Sequence, residues 1–401
     1  MLLTPRDAAR TAVPVQPAPG RAALAALAAY AAIKALGLAV LFLWAELADR
    51  SAHRLLAERW DSLWYVRVVE HGYGFTLTAP DGRVLSNTAF FPLLPWLEEG
   101  LSAVTPLGPA DAGLAVSAVA SLAAAWGIFR LVDHLYGPRA GVLTVVLWGA
   151  LPVGIVQSMA YSESLFTALA AWSLYAVVRG HWPAAGLLAA LAGLTRPVGL
   201  AVAAAVWAGA YLALRNNSGT DSSTANSSGS GNKNTGSERL RILAGVLLAP
   251  LGAAGYVLWV GIRKGSPLFG YLDVQGAWGN GFDGGLAFAR FIGGLITSTP
   301  PAGLALAAGV IALLWLYTRG IRQGQPLPLL VYSGIVMVLA LCSSGYFGSK
   351  PRLLMPAFPL LIPAAVALAR TKAPVVWAVT GLLSAAAAVY GAFWLHGSGP
   401  P

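Results

Sequence analysis

Apolar segments of membrane-crossing length recur along this 401-residue chain, and no other feature constrains its fold as strongly. The first runs from Ala22 to Trp44. At about 23 residues it is long enough to span a bilayer and too long for the core of a cleaved signal peptide. Others follow at about 112–131, 140–158, 163–179, 184–195, 198–214, 242–262, 301–318, 327–343, 353–369 and 374–395. An ordinary soluble domain carries about a quarter charged residues. Here charged residues make up 10% and hydrophobic ones 57%, which excludes that class. The expected fold is an all-α polytopic membrane protein with about eleven transmembrane helices.

Several segments are shorter than the ~20 residues a straight span needs. Between 184–195 and 198–214 stands Arg196-Pro197, and proline disfavours helical geometry at the residue before it while removing a backbone donor. Two short helices meeting at a buried loop are expected there. Segments 90–104 and 286–298 read as re-entrant or interfacial helices. The chain divides into a basic tail at 1–21, an N-terminal membrane part at 22–214 with a long first outer loop at about 45–111, and a linker at 215–241. A C-terminal membrane part at 242–395 and a tail at 396–401 complete it. The linker is rich in Ser, Asn, Gly and Thr and reads as flexible. Cys342 is the single cysteine, so neither a disulfide framework nor a thiolate zinc site is open to the chain.

The net charge of +10 follows membrane rules. With the N-terminus in the cytoplasm, the inner side receives 14 of the 26 basic residues, among them Arg21, Arg139, Arg179, Arg319, Arg322, Arg370 and Lys372. The outer side receives 12 of the 16 acids, including Asp61, Glu70, Glu98 and Glu163. The basic residues cap apolar segments and form no groove-binding stripe, so nucleic acid is excluded as a partner. On this map the outer basic residues Arg196, Lys350 and Arg352 are the anomaly.

Candidate chemistry lies on the outer side. In the first loop, Arg59-Trp60-Asp61-Ser62-Leu63-Trp64-Tyr65 puts a carboxylate beside aromatic rings. On a helix Trp60, Trp64, Arg67 and His71 share one face, and Asp61 and Tyr65 a neighbouring one. An interfacial aromatic belt accounts for the rings. It does not account for Asp61, since a carboxylate against apolar surface is costly unless paired or used. Tyr161-Ser162-Glu163-Ser164 reads equally as a helix cap and as the wall of a site. Arg196, Lys350 and Arg352 each need an anion, either a protein carboxylate such as Asp61, Glu70 or Glu163, or a lipid phosphate that a guanidinium grips bidentately. The polar and aromatic stretch from Val274 through Gln275 and Trp278 to Phe282 is a saccharide platform or an ordinary turn. No nucleotide-binding loop and no zinc motif is present in the sequence, and no cofactor is called for.

Taken in order, these blocks resemble the PIG-V-type mannosyltransferases. The resemblance rests on Arg59 to Tyr65, Glu70-His71-Gly72-Tyr73, Phe90-Phe91-Pro92-Leu93-Leu94-Pro95 and Tyr161 to Phe166. It continues through Leu194-Thr195-Arg196-Pro197-Val198-Gly199, Val274-Gln275 with Trp278, and Pro351-Arg352-Leu353-Leu354-Met355-Pro356. It covers about 40–365. That family belongs to the GT-C superfamily, whose members take sugars from polyprenyl- or dolichyl-phosphate donors on the outer or lumenal face. The resemblance implies a GT-C-like fold and a metal-independent, inverting mannosyltransferase in a bacterial plasma membrane with its site on the extracytoplasmic face. The acceptor would be a glycan, glycolipid or protein. Asp61 would be the base and Arg352 the main phosphate ligand, with Arg196 and Lys350 beside it. Trp60, Trp64 and Tyr65 would stack on sugar faces, and Glu163 and Gln275 would contact substrate. A lipid or sugar transporter and a non-catalytic membrane scaffold are the other classes. The transporter reading lacks the related halves such folds carry.

Overall fold

The computed structural model describes residues 19–221 and 232–399, without side chains at 19, 216–221 and 232–235. Most of the expected basic tail, and the centre of the expected linker, lie outside the described residues. Among the described residues eighteen α-helices follow one another. Those of the N-terminal part are α1 (Pro19–Leu47), α2 (Ala52–Ala57), α3 (Asp61–His71), α4 (Leu93–Val104), α5 (Pro109–Tyr136), α6 (Pro138–Gly149), α7 (Ser162–Val178), α8 (Trp182–Gly193) and α9 (Gly199–Asp221). Those of the C-terminal part are α10 (Asn232–Leu248), α11 (Leu251–Arg263), α12 (Gly270–Ala277), α13 (Leu286–Ser298), α14 (Pro300–Arg322), α15 (Leu327–Cys342), α16 (Lys350–Leu354), α17 (Ile362–Ala369) and α18 (Ala373–His396). Helix α9 thus runs past 215, where the linker was expected to begin.

The fold is the expected one, an all-α polytopic membrane protein. Among the described residues five helical stretches are long and apolar enough to cross a membrane: Gly20–Leu47, Pro109–Tyr136, Gly236–Arg263, Pro300–Arg322 and Ala373–His396. Five shorter apolar helices and one pair bent by 77° accompany them, a set that fits about eleven crossings. Their ends follow local chemistry. Pro109 and Pro138 open α5 and α6, where a missing N–H costs nothing, and Gly137 ends α5 at a φ of 87°. Arg319 and Arg322 lie in the last turn of α14, where cations suit the helix dipole.

Two expected spans are broken. The segment at 140–158 becomes α6, which stops at Gly149, and a 3-10 turn over Gly154–Ser158. Pro152 lacks the N–H a helix would need, and Gln157 Nε2 donates to the Trp148 carbonyl at 2.9 Å. The segment at 353–369 is split between α16, a 3-10 turn over Phe358–Leu361, and α17, with prolines at 351, 356, 359 and 363.

The core sits among α1 and α5 to α9 and is built of small residues. Ala124, Ala125, Ala170, Ala171, Ala185, Ala189, Ala201 and Ala205 are fully buried. Lipid tails give helices no hydrophobic reason to associate, so close approach of backbones carries the packing. A Cβ on Gly186 would meet the Gly245 carbonyl oxygen at 2.4 Å, so α8 and α10 touch backbone to backbone. Helix α14 is peripheral, with Ile311, Leu314 and Trp315 exposed as a lipid-facing surface would be.

Two small ribbons among the described residues shape the loops between helices. Strand β1 (Thr76–Thr78) pairs antiparallel with β2 (Val84–Ser86), with Thr76 opposite Ser86. Strand β3 (Gly281–Phe282) pairs with β4 (Ser343–Ser344), tying the loop after α12 to the chain that leads into α16.

Candidate active site

Four segments distant in sequence converge on one charged cluster. Asp61 is the first residue of α3 and Glu163 lies in the first turn of α7, both positions where the helix dipole favours a carboxylate. Arg196 stands in the break between α8 and α9, and Arg352 on α16. Arg352 Nη1 donates to Asp61 Oδ2 at 2.5 Å, and its Nε lies 3.4 Å from Glu163 Oε1. Arg196 Nη1 pairs with the same Glu163 oxygen. The side chains of Glu163 and Arg352 are 1% and 8% exposed, while Asp61 is 25% exposed and forms the open edge of the cluster. Two carboxylates and two guanidiniums balance, so the charge is compensated internally. An arginine offers five N–H donors, which lets Arg352 hold a carboxylate and still present donors to a further anion.

The turn before Asp61 is built with strain. Trp60 has a φ of 51°, a conformation unfavourable for a bulky residue. Ser62 Oγ pins the turn by accepting from Arg59 N at 3.0 Å and donating to Arg59 O at 2.6 Å. Arg59 reaches the end of the last helix, donating to the carbonyls of Leu395 at 2.6 Å and Gly397 at 3.0 Å. Its guanidinium lies 3.9 Å from the Trp60 ring centroid. Tyr161, fully buried, closes the back of the site. Asp61 N donates to Tyr161 Oη at 3.3 Å, and the Arg352 guanidinium lies 5.1 Å from its ring centroid.

The aromatic residues divide. Trp64 and Tyr65 are buried, and their faces meet protein. Trp64 packs on Phe90 at 5.7 Å and on Trp278 at 4.8 Å between centroids. Tyr65 packs edge-on to Phe90 at 5.3 Å and its hydroxyl donates to Ser162 Oγ at 2.9 Å. In this structure both rings are covered by protein, whereas the expected sugar-stacking role calls for an open face. Tyr65 ties α3 to α7 through Ser162, and Trp64 ties α3 to Phe90 and Trp278. Trp60 remains half-buried at the edge of the site.

Gln275 and Lys350 lie in networks of their own. Gln275 Nε2 donates to Tyr271 Oη at 2.6 Å and Ala89 O at 3.3 Å, and its Oε1 accepts from Asn280 Nδ2 at 2.8 Å. Trp278 Nε1 donates to Ser86 O at 3.1 Å, so this stretch fastens the loop after α12 onto the loop between α3 and α4. Lys350 Nζ donates to the carbonyls of Ala340 and Ser343, each at 2.7 Å, at the C-terminal end of α15. Ser343 Oγ lies 3.5 Å from the same ammonium, which is expected to contact a phosphate.

Two ionisable residues escaped sequence reasoning. Lys34 lies midway along α1, and its Nζ donates to the Gly154 carbonyl at 2.9 Å. Its signal was visible, as the one charge inside the first apolar run. Glu98 was counted among the outer acids, yet it is 1% exposed, and neither carboxyl oxygen finds a hydrogen-bond partner among the described residues. It covers Gly113, where a Cβ would lie 2.6 Å from Glu98 Oε1. Only the amphipathic pattern of α4 bears on this, and it does not assign Glu98 to the inner face.

Known proteins show this arrangement of helices. ArnT from Cupriavidus metallidurans bound to undecaprenyl phosphate is similar in structure, with a TM-score of 0.53 and 16% identity over 88% of this chain and 62% of that one. The same protein in its apo state gives 0.50 and 17% identity over 79% of this chain and 56% of that one. At such identities the likeness is one of fold, and this chain spans about three fifths of ArnT's length. No curated protein sequence matches the chain. The sequence model of the dolichyl-phosphate-mannose-protein mannosyltransferases matches residues 89–224, about a third of the chain, which contains Glu163 and Arg196 but neither Asp61 nor Arg352.

Proposed function

We propose that this chain is an integral-membrane glycosyltransferase that moves a sugar, mannose, from a polyprenyl-phosphate donor to a glycan, glycolipid or protein acceptor on the extracytoplasmic face. The observation that carries the proposal is the cluster of Asp61, Glu163, Arg196 and Arg352, a carboxylate at an open edge backed by buried guanidiniums. The fold shared with ArnT, whose structure holds undecaprenyl phosphate, supports a lipid-phosphate donor. The partial match to mannosyltransferases and the PIG-V-like motifs support mannose.

The chemistry follows from the charges. A lipid phosphate leaves as an anion, so the reaction needs positive groups at the departing oxygen and a base for the acceptor hydroxyl. Arg352, with Arg196 behind it, supplies the positive groups. Asp61 takes the acceptor's proton as the acceptor oxygen attacks the anomeric carbon and the carbon–oxygen bond to phosphate breaks. Attack opposite the leaving group inverts the anomeric centre. Glu163 keeps both arginines charged and in place.

The test is transfer of radiolabelled mannose from polyprenyl-phosphate-mannose in membranes with and without the protein. Protein-dependent transfer that Asp61→Asn abolishes is the expected result. No transfer from any polyprenyl-phosphate sugar would overturn the proposal.

A further inference from the structure

The face opposite Asp61 carries a second feature. Helix α1 leads from that face to the loop bearing Asp61. Helix α18 ends at the carbonyls that Arg59 grips, and α6 leads through the 3-10 turn to Tyr161. The starts of α1, α6 and α18 therefore gather on the far side. Between them lies a cleft of about 670 Å³. Its walls are apolar, with Ala25 and Ala29 from α1, Val142 and Val146 from α6, and Val376 from α18. Arg21 and Arg139 line its end, both exposed, and among the described residues no acidic side chain lines it. Arg139 is steadied there, its Nη2 donating to the Thr371 carbonyl at 2.9 Å.

We infer that this cleft binds an anionic phospholipid of the cytoplasmic leaflet, acyl chain along the alanine and valine walls and phosphate between Arg21 and Arg139. Three observations select that occupant. The trough is apolar along its length and cationic only at its end, the profile of a lipid with an acidic headgroup. A zwitterionic headgroup would bring its own cation against two guanidiniums. The mouth lies at the basic side of the chain, with Arg370 and Lys372 nearby in sequence at the start of α18, which the positive-inside rule assigns to the cytoplasm. The proposed sugar donor is also an anionic lipid, but its reacting group is needed at Asp61, on the other face.

A cation beside an anionic headgroup contributes about fivefold in affinity, so two contribute about 25-fold. The experiment is native mass spectrometry of the full chain in neutral detergent, titrated with dioleoyl-phosphatidylglycerol or dioleoyl-phosphatidylcholine. One phosphatidylglycerol should be held at about 25-fold lower concentration than phosphatidylcholine, and Arg21→Gln with Arg139→Gln should erase the preference. Ala25→Trp, which fills the trough and leaves both cations, should weaken phosphatidylglycerol binding about tenfold or more. Equal retention of the two lipids by the wild type would overturn the inference without any variant. Full binding by Ala25→Trp would overturn it too, by reducing the effect to a basic surface. Undecaprenyl phosphate held at the cleft more tightly than phosphatidylglycerol would replace the phospholipid with a donor-type lipid. A tenfold gain in lipid binding on deleting residues 1–18 would assign the cleft to the chain's own N-terminal tail.

Discussion

Ionisable side chains lie in the interior of this molecule in two settings, and the contrast separates chemistry from scaffold. In one cluster Asp61, Glu163, Arg196 and Arg352 answer one another charge for charge. Glu98, on α4 against α5, and Lys34, midway along α1, have no opposite charge among the described residues. A buried pair broken from one side leaves an uncompensated charge and typically costs about 3–5 kcal/mol. A solitary group can shed its charge, and its removal relieves desolvation. The paired cluster should therefore be intolerant and the solitary groups tolerant, and each substitution below tests one side of that division.

The largest effect belongs to Asp61. Asp61→Asn keeps the size and an acceptor for Arg352 but cannot take a proton, and a positioned base contributes about 10²–10⁴-fold. Transfer per folded molecule should fall by that factor while donor binding persists. Near-normal transfer would remove Asp61 as the base and make the cluster a structural ion network.

Glu163 comes next, read in stability. Glu163→Gln strands Arg196, whose paired carboxylate it is, and weakens the hold on Arg352, so about 3–5 kcal/mol should be lost as a lowered thermal midpoint in detergent. Adding Arg196→Met should recover more than half of that loss, because the stranded charge goes with it. Additive losses would mean that the two residues act independently and that the cluster is not one unit.

Much of this was legible in the sequence, and the limits are physical. The membrane fold follows from the apolar runs, and the break at Arg196-Pro197 from proline's missing donor. All four members of the cluster stand out in the sequence as charges beside apolar helices, with Asp61 and Glu163 as candidate partners for the arginines. The sequence does not say which arginine meets which acid, since that depends on tertiary approach across 291 residues for Arg352 and Asp61. Rings were harder. Trp64 and Tyr65 look like an exposed aromatic platform until Phe90 and Trp278 are brought against them. Lys350 borders the same block as Arg352, yet its ammonium turns to the end of α15, a direction no motif encodes.

Glu98 tests the solitary side through pH. Burial pushes its carboxyl up to about 8, against about 4.3 in an unfolded chain. The folded protein thus holds a proton that the unfolded chain releases. This raises the folded state's relative cost as pH climbs through the interval between those values. Stability should be greatest below about pH 4.5 as far as this group is concerned, fall by about 3 kcal/mol by pH 7, and level off above about 8. Glu98→Gln cannot titrate, so it should flatten that slope and raise the midpoint near neutral pH. Thermal unfolding of wild type and variant from pH 5 to 9 gives the comparison. An unchanged slope in Glu98→Gln would mean that Glu98 is ionised and paired, and the division between the two settings would fail there.

The smallest effect is expected at Lys34. The ammonium is half-buried inside a span, with the Gly154 carbonyl as its acceptor, the Tyr30 ring 5.4 Å away and a cavity of about 20 Å³ beside it. That cavity has room for about one water. Lys34→Met keeps the length of the side chain and its contacts with Ile33 and Ile155 neighbours along the cavity wall. It loses a charge-assisted hydrogen bond worth about 1.5–3 kcal/mol and gains relief of a charge held at membrane depth, which costs about 2.5–3.5 kcal/mol by insertion scales. The two terms nearly cancel, so the thermal midpoint should correspond to a change within about 1 kcal/mol, with sugar transfer unaltered. Lys34→Glu, which places an acid against a carbonyl, should by contrast be strongly destabilising. If Lys34→Met instead abolishes transfer while the fold survives, this ammonium serves the reaction through Gly154 and the turn that leads to Tyr161, and the line between chemistry and scaffold must be redrawn to include it.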